Sequence, residues 1–285
     1  MPMTTRLREL MSTGLVVAPG IYDGLSARLV QAAGFEAAYA SGGAIARSTG
    51  IPDLGLTDLT DNVRRLEQMA EAVDIPIIAD LDTGYGNALN ARKAARAFER
   101  AGIAGFHIED QSFPKRCGHY DDKSLVPAAE LAQKLRAVRD ALHDDDLVVI
   151  ARTDAIAVEG FDAAIDRAHA YAEAGADVVF VEAPATVEQI EEVARRLPYP
   201  KLINMFHGGK TPLVAAERLR ELGYAIVIIP SDLQRAAITA MQRTWQAIRR
   251  DGHSGSLEAD MISFKDRETL VQTADLLELS SRYGV

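Results

Sequence analysis

Two apolar runs, IPIIADLD (75–82) and AGFHIED (104–110), with NALNARKAARAFERAG (87–102) between them, decide the architecture. Each run is almost continuously apolar and then breaks into carboxylates. Strands buried on both faces read this way, whereas half-exposed strands alternate. The stretch between them is amphipathic at helical spacing and ends on Gly102, the expected residue just past a helix C-terminus. The same strand–helix pattern recurs along the chain. Further strand runs read LVVAP (15–19), EAAYAS (36–41), LVVIARTD (147–154), ADVVFVEA (176–183), PKLINM (200–205) and YAIVIIP (224–230). Further helices are expected over 161–175, 186–197 and 211–223, and Gly34, Gly175 and Gly223 sit before the next strands. Eight such units predict an α/β fold, a (β/α)8 TIM barrel formed as one domain over residues 1–285.

Barrels of this kind carry their chemistry at the carboxyl ends of the strands. Those ends here hold Tyr39, Ser41, Asp80, Asp82, Glu109, Arg152, Asp154, Glu182 and Asn204. A packed core needs none of these groups, so the chain reads as an enzyme. Two connections exceed the minimal unit, 43–58 and 112–127, both rich in Gly, Pro, Asp and Ser. Long loops on the active face of a barrel are expected as lids. The tail SFKDRETLVQTADLLELSSRYG (263–284) reads as an extra helix after the eighth unit. Its leucine stripe requires a cover, either a second subunit or the chain's own barrel.

A net charge of −10 argues against nucleic-acid or anionic-membrane partners. An anionic substrate must then find local positive charge. No apolar run approaches the roughly 20 residues of a membrane helix. The single cysteine excludes an internal disulfide framework and fits a reducing cytoplasm. The N-terminal MPMTTRLREL has charges of both signs and lacks the pattern of a signal peptide.

Asp80 and Asp82 stand two apart at one strand end and so point to one side, and Glu109 closes the next strand. Three carboxylates at one mouth repel unless a cation lies among them. Oxygen ligands of this kind suit Mg²⁺, a reading favoured here over a set of helix caps and surface ion pairs. Lys115-Arg116-Cys117-Gly118-His119 places a thiol among potential cations, which lowers a thiol pKa and prepares it for proton transfer. An incidental surface cysteine is the competing reading; a zinc site is weak without a second cysteine. Arg152 is suited to clamp a substrate carboxylate or to pair with Asp80 or Glu182. Asn204, Ser41, Gly42 and Gly43 offer neutral hydrogen bonds, although Ser-Gly-Gly alone is more often a turn. His107 is expected inside the barrel as a satisfied core histidine, and His207 lies in a Gly-Gly loop within reach of a ligand.

In combination these stretches resemble the isocitrate lyase/phosphoenolpyruvate mutase superfamily. The likeness rests on Ser41-Gly42-Gly43, on 50–55 (GIPDLG), on 80–86 (DLDTGYG), on Ile108-Glu109-Asp110-Gln111 followed by the KRCGH loop, and on 151–155 (ARTDA). It runs from about residue 10 to the C-terminus. The resemblance implies a barrel whose last helix, 263–285 here, is swapped between the subunits of a homotetramer. It implies Mg²⁺, with Mn²⁺ able to substitute, held by Asp80, Asp82 and Glu109. It implies substrate contacts from Tyr39, Ser41, Gly42, Gly43, Asp53, Gly118, Arg152, Glu182 and Asn204, and a proton donated by Cys117 within a loop that also carries Lys115 and His119.

The lyase members share KRCGH. The strict phosphoenolpyruvate mutases and phosphonopyruvate hydrolases carry an Asn-containing loop instead, but the carboxyphosphonoenolpyruvate mutase branch also has KRCGH. The chain resembles 2-methylisocitrate lyases in 154–160 (DAIAVEG) and at Arg235. It departs from them at Asn204-Met205-Phe206-His207, where they have Asn-Ile-Thr-Glu-Phe, and at Phe264, where they have an arginine that nearby Arg267 could replace. Residues 208–212 (GGKTP) look like the dimethylmalate lyase and carboxyphosphonoenolpyruvate mutase branches. The expectation is therefore a Mg²⁺-dependent carbon–carbon lyase acting on a small 2-hydroxy di- or tricarboxylate, with Tyr39 a candidate base. A phosphonate-forming mutase is the alternative.

Overall fold

The structure is a computed structural model and describes residues 1–116, 118 and 123–284. The strands are β1 (Val16–Ile21), β2 (Ala38–Ala40), β3 (Ile77–Asp80), β4 (Gly105–Glu109), β5 (Val148–Thr153), β6 (Val178–Val181), β7 (Lys201–Asn204) and β8 (Tyr224–Ile229). All pair in parallel in chain order, and β8 returns to β1, closing the barrel. The helices are α1 (Met3–Thr13), α2 (Gly24–Ala32), α3 (Gly42–Ser48), α4 (Leu59–Ala72), α5 (Ala88–Arg100), α6 (Ala128–Arg139), α7 (Phe161–Glu173), α8 (Val187–Arg196), α9 (Ala216–Glu221), α10 (Asp232–Asp251), α11 (Phe264–Leu270) and α12 (Thr273–Tyr283). Each of the eight runs read as a strand forms one, and the fold is the (β/α)8 barrel expected.

Strand periodicity places the site. Val16 and Ala18, Ile78, Val148 and Ile150, Val178 and Phe180, Leu202, and Ile226 and Ile228 are alternate residues that pack together in the barrel interior. Continuing the same two-residue step toward the strand ends reaches Asp80, Glu109, Arg152, Glu182 and Asn204. The layers are thus apolar below and polar at the mouth. The bottom is stopped by Leu7 of α1, which is fully buried in the same cluster. Gly105 leaves room for it. A Cβ there would stand 2.9 Å from the Val148 carbonyl oxygen and 3.2 Å from Leu7 Cδ2. Two further apolar clusters fill the space between barrel and helices. Gly34, Gly102, Gly175 and Gly223 all take positive φ just beyond their helices.

Two elements differ from expectation. The helix expected over 211–223 begins only at Ala216. Thr211 is buried and Val214 packs on the core, so tertiary anchoring holds 211–215 extended against its helical period. The tail expected as one helix is two, broken at Gln272, whose φ is +58°. Val271 and Thr273, β-branched and poor helix formers, flank the break. α11 lies near α2, but α12 does not cap the barrel: Leu276 and Leu277 each remain 64% exposed.

Phe98 of α5 is fully buried and meets Phe106 of β4 edge-on, with ring centroids 6.0 Å apart. Phe98→Ala should cost about 3–5 kcal/mol. The change is read as a lower denaturant midpoint, and an unchanged midpoint would contradict the packing described.

Candidate active site

A cavity of about 330 Å³ opens at the carboxyl end of the barrel. Its lining includes Tyr39, Ser41, Gly43, Asp53, Asp80, Lys115, Gly118, Arg152, Glu182, Asn204 and Arg235, each singled out from the sequence. Asp82 and Glu109 lie buried beside it. Cys117 and His119 lie outside the described residues.

Arg152 organises one side of the mouth. Its Nε donates to Asp154 Oδ2 at 2.9 Å and its Nη2 to Oδ1 at 3.0 Å. Nε also lies 3.3 Å from Glu109 Oε2, and Nη1 3.5 Å from Glu182 Oε2. Its partners are thus Asp154, Glu109 and Glu182, and not Asp80. Asp154 is in turn fixed from behind, where its backbone N–H donates to Asp110 at 2.9 Å. Asp110 also accepts from Thr153 at 2.7 Å and Tyr171 at 2.8 Å.

The loop after β4 is folded over the mouth. Its stem is zipped by Ser112 N–H donating to Ser124 O at 2.8 Å and Val126 N–H to Asp110 O at 2.9 Å. Lys115 is only 5% exposed and places Nζ 2.8 Å from Asp53 and 2.7 Å from Asp82. Gly118 lies directly on Arg152, where an added Cβ would stand 2.3 Å from Nη2. Lys123 donates to Asp154 Oδ1 at 2.8 Å and to the Gly118 carbonyl at 2.5 Å. Lys123 escaped the sequence reading. Its signal was modest, a lysine just before Leu125-Val126, where the loop turns back to the barrel.

Ser41-Gly42-Gly43 is more than a turn. Ser41 caps α3 by accepting from Ala44 N–H at 3.3 Å. Cβ atoms on Gly42 and Gly43 would each stand 2.7 Å from a carboxylate oxygen, of Asp80 and Asp53 respectively. Bare backbone here lets the acids crowd inward. Arg235 stands at the rim, 3.7 Å from Asp232 and bonded to the His207 carbonyl. The His207 side chain is not among the cavity-lining groups.

Among the described residues, six buried carboxylates (Asp53, Asp80, Asp82, Glu109, Asp154, Glu182) face three buried ammonium or guanidinium groups (Lys115, Lys123, Arg152), with Arg47 and Arg235 exposed at the rim. Burial responds to that imbalance. It pushes the Glu109 carboxyl well above the usual carboxylate range and the Asp82 carboxyl up to about 6. Burial would raise Asp80 as well, but His107, Lys115 and Arg152 hold it down at about 2. His107 is fully buried and, through burial, lowered to about 4, so it is neutral. Its Nε2 meets the Tyr39 hydroxyl at 2.7 Å, which makes it the satisfied core histidine expected. Burial, and then the Asp80 charge, push the Tyr39 hydroxyl well above 10. A phenol raised in this way holds its proton more firmly than a free tyrosine.

Ligand atoms of Asp80, His107 and Glu109 lie within 4.8 Å of one another. Asp82, expected in this group, is turned instead to Lys115. Glu109 Oε1 has no hydrogen-bond partner among the described residues. An oxygen-rich pocket with excess negative charge and an unsatisfied carboxylate oxygen fits a hard divalent cation.

Comparison with known proteins agrees with this geometry. The family model described as phosphoenolpyruvate phosphomutase matches residues 7–249. The chain is 38% identical over 286 residues to 2,3-dimethylmalate lyase of Eubacterium barkeri, covering 100% of this chain and 99% of that protein. It is 41% identical over 278 residues to 2-methylisocitrate lyase of Bacillus subtilis (strain 168), covering 94% and 92%. A solved phosphonopyruvate hydrolase, in complex with oxalate and Mg²⁺, superposes with a TM-score of 0.91 at 30% identity over 100% of both chains. Barrel, mouth chemistry and sequence agree that the chain is an enzyme of the phosphoenolpyruvate mutase/isocitrate lyase superfamily.

Proposed function

We propose that this enzyme is a Mg²⁺-dependent carbon–carbon lyase that cleaves a methylated 2-hydroxy di- or tricarboxylate, of the 2-methylisocitrate or 2,3-dimethylmalate type, to a 2-oxo acid such as pyruvate and a carboxylate such as succinate. The observation that carries the reading is the mouth itself, where crowded carboxylate oxygens adjoin a buried arginine beneath Lys115, Gly118 and Lys123 of the loop after β4. Support comes also from the two lyases to which the chain is similar and from the Mg²⁺ named with phosphonopyruvate hydrolase.

Asp80 and Glu109, with Asp82 if Lys115 releases it, are the residues that would hold the cation. When bound, it supplies chelation of the 2-hydroxy carboxylate and electrostatic stabilisation of the oxo acid as it forms. The residues of the chain do the rest. Tyr39, oriented by His107, donates a hydrogen bond to the substrate. Arg152, fixed by three carboxylates, faces the negative charge that develops as the C2–C3 bond breaks. The hydroxyl proton passes to a carboxylate of the mouth. Cys117 returns a proton to the departing carbon, and the 112–127 loop excludes water while it does so. Phe206, Ile228, Pro230 and Ile238 give the cavity an apolar wall that accepts a methyl substituent.

The reading is tested by turnover on 2-methylisocitrate, 2,3-dimethylmalate and isocitrate. One methylated acid should be cleaved with release of an oxo acid, and isocitrate should be poor. Activity should vanish with a chelator and return with Mg²⁺ or Mn²⁺. Isocitrate as best substrate would overturn the assignment, and so would phosphonate chemistry on a phosphoenol substrate with all three hydroxy acids inert, the outcome that matches the family model's description.

Cys117→Ser should lose turnover by about 10²–10⁴-fold while still binding oxo acid, because a hydroxyl is far less acidic than a thiol. Near-normal turnover would remove Cys117 from the mechanism.

The exposed leucines of α12 fit burial against a neighbouring subunit of a homotetramer. Deleting 263–285 should reduce the sedimentation coefficient to that of a smaller species; an unchanged coefficient would exclude the tail from the interface.

A further inference from the structure

Positive charge is shared unevenly around the mouth. Above β3 to β6 each cation is claimed by acids: Lys115 by Asp53 and Asp82, Arg152 by Asp154, Glu109 and Glu182, and Lys123 by Asp154. Arg47 of α3 lines the same cavity on the side of β2. Its guanidinium makes no ion pair or hydrogen bond among the described residues.

Its position follows from Gly43. Arg47 is four residues on, so its side chain leans back over that glycine. Nη1 stands 2.9 Å from where a Gly43 Cβ would be, with Asp53 Oδ2 2.7 Å from the same point. Only a residue without a side chain lets the guanidinium lie there, at the cavity wall. The start of α10 is pinned to this region, since Gln234 Nε2 donates to Ala44 O at 2.8 Å. That contact brings Ile238 and the rim arginine Arg235 to the same cavity. The side of the mouth above β3 to β6 is therefore acidic with its cations neutralised, and the side formed by α3 and the start of α10 is more apolar and carries the exposed guanidinium of Arg47 next to Asp53.

We propose that Arg47 is a specificity-determining residue that receives a carboxylate carried beyond the two that flank the cleaved bond, and so favours a tricarboxylate. The inference rests on the lyase reading for the substrate's orientation. The two carboxylates beside the breaking bond belong at the acidic half, next to Arg152, where charge develops. The guanidinium of Arg47, ion-paired with no acid among the described residues although Asp53 lies near it, is complementary to a third. The adjoining Ile228, Pro230 and Ile238 then pack a methyl group beside that carboxylate.

The test is calorimetric binding of two non-cleavable acids, tricarballylate and glutarate, to the Mg²⁺-loaded full chain, for wild type, Arg47→Gln and Arg47→Lys. Wild type should prefer tricarballylate. Arg47→Gln should reduce that preference by about 10- to 100-fold, the loss of one charge-assisted contact, and Arg47→Lys should recover part of it. In turnover, Arg47→Gln should lower the kcat/KM ratio of 2-methylisocitrate to 2,3-dimethylmalate, with the change carried by KM. No wild-type preference, an unaltered preference in Arg47→Gln, or an equal loss for both acids would overturn the proposal; equal loss is what a structural role for Arg47 produces. Binding that behaves as expected while every hydroxy acid is inert would refute the lyase reading and leave the carboxylate site standing.

Discussion

Arg152 is the cation on which the mouth depends. It neutralises acids delivered by three connections, Glu109 from β4, Asp154 after β5 and Glu182 after β6, and the backbone of Gly118 rests upon it. Burying so many carboxylates is tolerable only with a positive charge at their centre. Removing one partner from such a cluster typically costs about 3–5 kcal/mol, because the remaining charges stay buried without compensation. The same guanidinium is held without freedom to reorient, with Asp110 fixing Asp154 from behind. A group held in this way meets developing negative charge without first reorganising. Under the proposed function, stability and chemistry would thus draw on one side chain.

Lys115 and Lys123 extend the principle to the lid. Both come from the loop after β4, and both end on carboxylates of the barrel. Asp53, Asp82 and Asp154 thereby form the seat that holds the loop's described residues down. Asp82 illustrates the competition: it is turned to Lys115 here, yet its place at the mouth suits it to ligate a metal. Under the proposed function, occupancy of the metal site and seating of the loop would be linked through this shared carboxylate.

The barrel and most of its mouth were legible in the sequence for a simple reason. A strand inside a closed barrel has a two-residue period, so Asp80, Arg152 and Glu182 are fixed as inward-facing by Ile78, Ile150 and Phe180 two positions before them, and Glu109 by the buried His107. Residues on connections carry no such period. Lys123 is placed by the fold of its loop, and Arg47 by a glycine one helical turn away, so neither could be located by spacing. The shortened α9 and the break at Gln272 were hidden for a related reason. Local helical pattern was overridden in the first by the burial of Thr211 and in the second by β-branched neighbours. Tyr39 was legible in position, but the acidity of its phenol was not, because that depends on burial and on Asp80, neither of which is a property of its own strand.

Leu7 beneath Gly105 has a consequence for traffic through the barrel. With the amino-terminal end stopped by a packed side chain and the interior filled by apolar layers, the described residues leave the cavity no passage through the barrel, and Lys115, Gly118 and Lys123 of the loop after β4 stand at its open end. A reaction that splits one molecule into two must send both pieces out by that route. Under the proposed function, the piece nearer the opening would depart first and the one seated deeper would wait behind it, an order set by the plug at the far end of the barrel.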